Sequence, residues 1–166
     1  MTAVTGAAFA ARYPGELGNS LKVELFASAN TVDWANWGYS NLFDNIPGTS
    51  TYFAESLGVT DVADEMHLVV VDEDGMFTGV PGTVLEKFTG LSKATNAKDE
   101  SGTNLYYRDV ILNRSKYIYV VGHPSGATNW GTEVTVDSTP FDDLDTTKTN
   151  YSLNGGADAS VSDGAL

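Results

Sequence analysis

Three groups of residues in this chain carry side chains able to do chemistry. Asp72-Glu73-Asp74-Gly75 places three acids and a glycine directly after the apolar run Leu68 to Val71. His67 and His123 are the only histidines. Trp34, Trp37 and Tyr39 lie among Asn, Asp, Gly and Pro between Asn30 and Ser50. The acidic group first suggests a Ca²⁺ loop. An EF-hand loop needs Gly at about its sixth position and Glu at about its twelfth. Here Gly75 comes three residues after Asp72, and Thr83 stands where the last carboxylate belongs. The spacing fails. Asp74-Gly75 between two apolar runs fits a β-hairpin better, because a tight turn needs residues that accept positive φ. Asp72, Asp74 and Gly75 are therefore read as turn residues.

A carboxylate pair for glycoside hydrolysis needs a separation of about 5–10 Å. With 22 acids, many pairs meet that in any fold, so no pair is singled out. His67 lies inside an apolar strand and reads as a satisfied sheet position. His123, in Gly122-His123-Pro124, sits in a turn where it could serve as a base, but no partner residue is marked. HExxH, GxSxG and the phosphate-binding P-loop are all missing. The expectation is no enzyme, no cofactor and no metal. The aromatic stretch is the best candidate for binding, since Trp34, Trp37 and Tyr39 could stack on sugar rings. The competing reading, which we prefer, is that these rings pack the segment onto the domain.

Composition narrows the classes further. The chain has 166 residues, 42% of them hydrophobic, which suits one globular domain or a large piece of one. Twenty-two acids against 9 bases leave a net charge of −13, so nucleic acid and anionic lipid are poor partners. Cysteine is absent, which removes disulfides, thiolate metal sites and cysteine nucleophiles. Apolar runs are a few residues long, against roughly 20 for a bilayer span. No leader of the basic–apolar–small form opens the chain.

The elements that must position these groups follow from periodicity. Leu21 to Phe26 alternates and predicts a strand with Leu21, Val23 and Leu25 inward. Met66 to Asp72 is the strongest strand. Thr83 to Leu91 is another, with Val84, Glu86 and Phe88 on one face and Leu85 and Lys87 on the other. Asn104 is expected to cap a helix over Leu105 to Arg114. Lys116 to Val121 and Thr132 to Val136 read as strands, and Thr51 to Leu57 as one helical turn or a short strand. Met1 to Ala11 reads as a short helix or loose arm, Asn30 to Ser50 as an irregular loop insertion, and Lys93 to Thr103 as a polar surface connection. The chain beyond Asp137 shows no apolar periodicity. The order predicts an α+β fold: a mixed β-sheet, a few short helices and a β-hairpin at Asp74-Gly75.

Five stretches, taken in order, carry a resemblance. Tyr13-Pro14-Gly15-Glu16-Leu17-Gly18-Asn19-Ser20-Leu21-Lys22-Val23 resembles the entry strand of the sheath proteins of large contractile-tailed phages. Asp64 to Gly75 is similar to that family's DE-x-H, hydrophobic run, DEDG segment. Gly79-Val80-Pro81-Gly82-Thr83-Val84-Leu85-Glu86 resembles its G-x-PGT segment, and Tyr106 to Ile118 its YY-x-DVIN…SKYI segment. Tyr151 to Asp158 is similar to its Y-x-L-x-GG-x-D. Nothing carries over to residues 30–50.

The resemblance implies a structural protein. Many copies would polymerise around the tail tube protein as a helical sheath, and contraction would drive the tube through the host envelope. The location implied is the virion tail, with assembly in the host cytoplasm. The partners implied are other sheath subunits and the tube, with no nucleic acid and no membrane contact. The family's subunit is much longer, so the chain is expected to be an internal fragment, its Met1 supplied by expression. Without the terminal arms it is expected to stay monomeric. Two rivals stand beside this: an extracellular carbohydrate-binding or adhesion module using Trp34, Trp37 and Tyr39, and a hydrolase with paired carboxylates.

Overall fold

A computed structural model describes residues 7–144 and 149–158. The fold is α+β, as the order of elements predicted. Its strands are β1 (Phe9–Ala11), β2 (Leu21–Phe26), β3 (Glu65–Asp72), β4 (Thr83–Ser92), β5 (Ile118–Val120) and β6 (Asn150–Ser152). Its helices are α1 (Thr31–Asn36), α2 (Thr51–Ser56) and α3 (Tyr107–Arg114). A four-stranded sheet runs β4-β3-β2-β6, and β1 pairs with β5 in a second, two-stranded sheet. These strand pairings are antiparallel, and a parallel bridge joins Ser92 to Tyr106.

Strand β3 explains its own sequence. It lies inside the sheet and is covered on both faces, so an unbroken run, Leu68 to Val71, is fully buried. Leu68 and Val70 join Leu21, Val23 and Leu25 of β2 on the main core face. Tyr107 and Ile111 of α3, Phe53 of α2, Phe9 of β1 and Ile118 of β5 close that core. Val69 and Val71 face the other way, onto Phe43.

Several expectations are corrected. The face assignment of β4 fails at its start, because a register shift between Val70 and Val71 pairs Val71 with Val84 but Val70 with Glu86. The bulge resets the alternation. Val84 therefore joins the Phe43 side, and Leu85 packs on the main core. Thr132 to Val136 forms no strand. The Asn96 side chain satisfies Val134 instead, donating to its carbonyl and accepting from its N–H, both at 2.9 Å. Residues 30–50 are not an irregular loop throughout. Asn30 caps α1 by accepting from the Val32 N–H at 2.9 Å and the Asp33 N–H at 3.3 Å. Helix α3 starts at Tyr107, and Asn104 accepts from the Tyr106 N–H just before it (2.7 Å). Residues 9–11 are strand rather than helix or arm, and residues 1–6 of that expectation lie outside the described residues. Residues 150–152 form β6, and Phe141 and Leu144 are buried despite the polar composition around them.

The supposed surface connection after Ser92 is the largest departure. Lys93, Ala94 and Ala97 are buried. The Lys93 ammonium donates to the Ala27 carbonyl (3.1 Å) and the Ala63 carbonyl (2.7 Å), and sits 5.4 Å from the Trp130 ring. Burial lowers its pKa to about 8, against the pull of Asp143, Asp64 and Asp142. One cation thus ties together three segments distant in sequence.

Candidate functional site

Asp72, Asp74 and Gly75 belong to the ten-residue connection, 73–82, between β3 and β4. The hairpin expected at Asp74-Gly75 is present, but it is wide rather than tight. Asp72 itself is the last residue of β3 and is fully buried. Its Oδ1 accepts from the Ser20 hydroxyl at 2.6 Å. Its Oδ2 accepts from the Phe77 N–H (3.1 Å), the Thr78 N–H (2.8 Å) and the Thr78 hydroxyl (2.8 Å). Burial opposes ionisation of Asp72. The donors from Ser20, Thr78 and Phe77 together outweigh it and hold the carboxyl below its ordinary value.

Ser20 is the other half of the lock. Its hydroxyl donates to Asp72 and accepts from the Asp74 and Met76 N–H groups, both at 3.2 Å. Its carbonyl accepts from the Glu73 N–H at 2.6 Å. Gly75 adopts φ +81°, and a Cβ there would come within 2.7 Å of the Pro81 nitrogen. The loop closes with Gly79 N–H to the Gly75 carbonyl and Gly82 N–H to the Asp72 carbonyl, each 2.7 Å. Both oxygens of this buried acid are thus spent on its own chain. No group of three or more His, Cys, Asp or Glu among the described residues could hold a metal ion.

His67 is buried, with its ring stacked on Phe43 at 4.4 Å between centroids. Its Nδ1 accepts from the Gly90 N–H (3.1 Å), which leaves Nε2 to donate to the Asn45 carbonyl (2.8 Å). Burial lowers its pKa, so the neutral ring is favoured. His123 Nδ1 lies 2.7 Å from the hydroxyl of Tyr107, whose pKa burial pushes up. No carboxylate bonds to His123 among the described residues.

Trp34, Trp37 and Tyr39 form one aromatic cluster on the sheet face opposite the main core. Trp37 stacks on Phe43 at 5.4 Å, and Trp34 packs edge-on against Phe26 at 5.2 Å. Tyr39 meets Trp37 edge-on at 5.9 Å. The indole N–H of Trp37 donates to Glu24 at 3.3 Å. All three rings are half-buried and pack against Phe43, Val69 and Val71. The cluster roofs the second face of β3.

A groove of about 790 Å³ runs between β1, β6 and the turn at Tyr13 to Asn19. Its lining among the described residues includes no carboxylate, histidine, lysine or arginine. Its titratable groups among the described residues are Tyr13 and Tyr151.

Sequence reasoning missed Ser20, Lys93 and Asp64. Asp64 is fully buried and accepts from the Ser50 N–H and the Ser92 hydroxyl, both at 2.7 Å. Each looks ordinary in sequence, because its partners are remote. No protein-family model matches the chain, and no curated protein matches it.

Proposed function

We propose that this chain is a structural segment of a contractile tail sheath subunit. Copies of that subunit polymerise around a tail tube and contract to drive it through a host envelope. What carries the reading is that the five motif stretches bond to one another. Asn19 exchanges two hydrogen bonds with the Gly156 backbone (2.9 and 2.8 Å), and Asp158 accepts from the Glu16 N–H (3.0 Å). Ser20 holds Asp72. The Asp72 carbonyl holds Gly82. Glu86 accepts from the Ser115 hydroxyl and the Lys116 N–H, both at 2.6 Å. The first stretch thus joins the second and the fifth, the second joins the third, and the third joins the fourth.

Residues placed this way act as joints of a framework and not as a reaction centre. A contractile array needs stiff subunits, since contraction is a switch between two packings of the same bodies. Its driving energy lies in contacts between subunits, so no bond is made or broken by the protein. In this reading the partners are sheath subunits and the tube, and the location is the virion tail.

Negative-stain microscopy of the full-length subunit that the resemblance implies, with this chain as control, tests the proposal. Regular hollow tubes from the full subunit are expected. A full subunit that never forms tubes, with or without tail tubes to nucleate it, would overturn it.

A further inference from the structure

Strands β1 and β6 are edges of separate sheets, and they flank the groove of about 790 Å³. Antiparallel pairing fixes which main-chain groups face it. The Leu153 N–H donates to the Leu21 carbonyl (2.8 Å), and the Leu25 N–H to the Thr149 carbonyl (2.9 Å). The odd-numbered residues of β6 therefore make the ladder to β2, and the N–H and C=O groups of Asn150 and Ser152 point away from it. On β1 the Arg12 N–H donates to the Tyr117 carbonyl (2.8 Å), and the Ala8 carbonyl accepts from the Val121 N–H (2.9 Å). Even-numbered residues thus pair with β5, and the main-chain groups of Phe9 and Ala11 point away from it. All four outward-facing residues line the groove. Among the described residues one of their outward groups is engaged: the Ser152 carbonyl accepts from the Asn154 side-chain amide at 3.5 Å.

The two strands also run the same way. β1 leads into the turn at Tyr13 to Asn19, and β6 leads to Gly156, which Asn19 holds by two hydrogen bonds (2.9 and 2.8 Å). On the core side the rings of Phe9 and Tyr151 meet edge-on at 5.2 Å, yet no main-chain ladder joins β1 to β6. Small residues, among them Ala7, Ala10, Gly155 and Gly156, leave room for a backbone between the two edges. Open strand edges are templates for a further strand.

We propose that the groove takes an extended peptide of a partner protein as a further β-strand, between β6 and β1. The strand runs antiparallel to both, the more stable pairing. Its main chain bonds Asn150 and Ser152 on one side and Phe9 and Ala11 on the other, which joins the two sheets in the order β4-β3-β2-β6-peptide-β1-β5. Charge complementarity sets its composition. The lining carries no charged side chain among the described residues, so the peptide is uncharged where it pairs. Alternate side chains are apolar and meet the Phe9 and Tyr151 rings, and those between them are small, polar and outward. The site depends on main-chain geometry and stands whether or not the chain belongs to a sheath subunit.

The probe is a short peptide of alternating threonine and valine, capped at both ends and added to the full chain, with amide hydrogen exchange read by NMR. At saturating peptide the amides of Phe9, Ala11, Asn150 and Ser152 are expected to exchange about tenfold more slowly than without it. N-methylating alternate residues of the peptide removes its donors to one edge, and binding should weaken at least about tenfold. Ser152→Pro removes an outward donor and keeps the ladder to β2, because proline is tolerated at an edge position whose N–H faces away from the sheet. That variant should bind the peptide about tenfold more weakly. The methylated peptides need no variant, so they decide the outcome even where Ser152→Pro does not fold. No slowing at the four amides, or binding that N-methylation leaves unchanged, would overturn the proposal. Tubes from the full subunit without peptide binding here remove the strand site alone. Peptide binding here without tubes keeps the strand site and removes the sheath reading.

Discussion

Substituting Asp72 tests the lock most directly. Asp72→Ala removes the acceptor of four hydrogen bonds, from the Ser20 hydroxyl, the Phe77 and Thr78 N–H groups and the Thr78 hydroxyl. The bond to Ser20 is buried on both sides and charge-assisted, worth about 1.5–3 kcal/mol. The other three lie toward the rim, where water can replace the lost acceptor, and contribute about 0.5–1 kcal/mol each. Their sum places the loss at about 3–6 kcal/mol, at the high end for a single substitution. At about 2–4 °C per kcal/mol for a domain of this size, the melting temperature should fall by about 6–24 °C. Asp72→Asn keeps the shape but turns one acceptor into a donor that faces donors, so a loss of about 2–4 kcal/mol is expected. Circular dichroism melts and urea titrations measure both. The pH dependence is a second readout. Because the folded pKa is depressed, the contribution is present above the ordinary value of 3.8 and is lost as pH falls through the lower folded value. Asp72→Asn should flatten that acid limb. A loss below about 1 kcal/mol for Asp72→Ala would refute the lock, since even one unsatisfied buried donor costs more.

Further outcomes follow from other joints. Gly75→Val should cost about 3 kcal/mol or more, because φ +81° is strained for a β-branched residue and its Cβ would meet the Pro81 nitrogen at 2.7 Å. Gly79→Ala, at φ +82° with open space around it, should cost only about 1 kcal/mol, and the two urea midpoints give the comparison. Trp34→Ala and Trp37→Ala should each lower stability by about 2–3 kcal/mol, less than a fully buried ring, with no change on a glycan array. Loss of glycan binding with an unchanged melting temperature would favour a carbohydrate-binding module instead. Lys93 has a folded pKa near 8 against 10.5 in a free chain, so its charge penalises folding below pH 8. The penalty lifts as pH rises from there toward 10.5, where the unfolded chain also loses its proton. Relative to Lys93→Met, the wild type should therefore gain about 2–3 kcal/mol between pH 7 and 10, measured by urea unfolding.

Much of the framework was legible from local pattern. Alternation placed Leu21, Val23 and Leu25 of β2 inward, and all three are fully buried. The unbroken Leu68 to Val71 run marked the strongest strand, and Asp74-Gly75 marked the hairpin. These signals are local because period and turn chemistry act over a few residues. The same locality explains the failures. A single bulge moved Val84 to the opposite face, and one side chain, Asn96, took the place of a strand partner for Val134. Helix α1 was missed because it is short and its apolar rings point at a sheet face that only the fold creates.

What the sequence determined by itself was the class of elements, the position of the acidic turn and the exclusion of thiol chemistry. Each follows from composition or from neighbours along the chain. What only the tertiary structure decided was the use of the polar groups. Asp72 finds Ser20 across 52 residues, and Lys93 finds Ala27 across 66. Whether such a group is a ligand, a catalyst or a joint depends on which donors the fold brings to it. A buried charge must be satisfied by whatever the tertiary contacts supply.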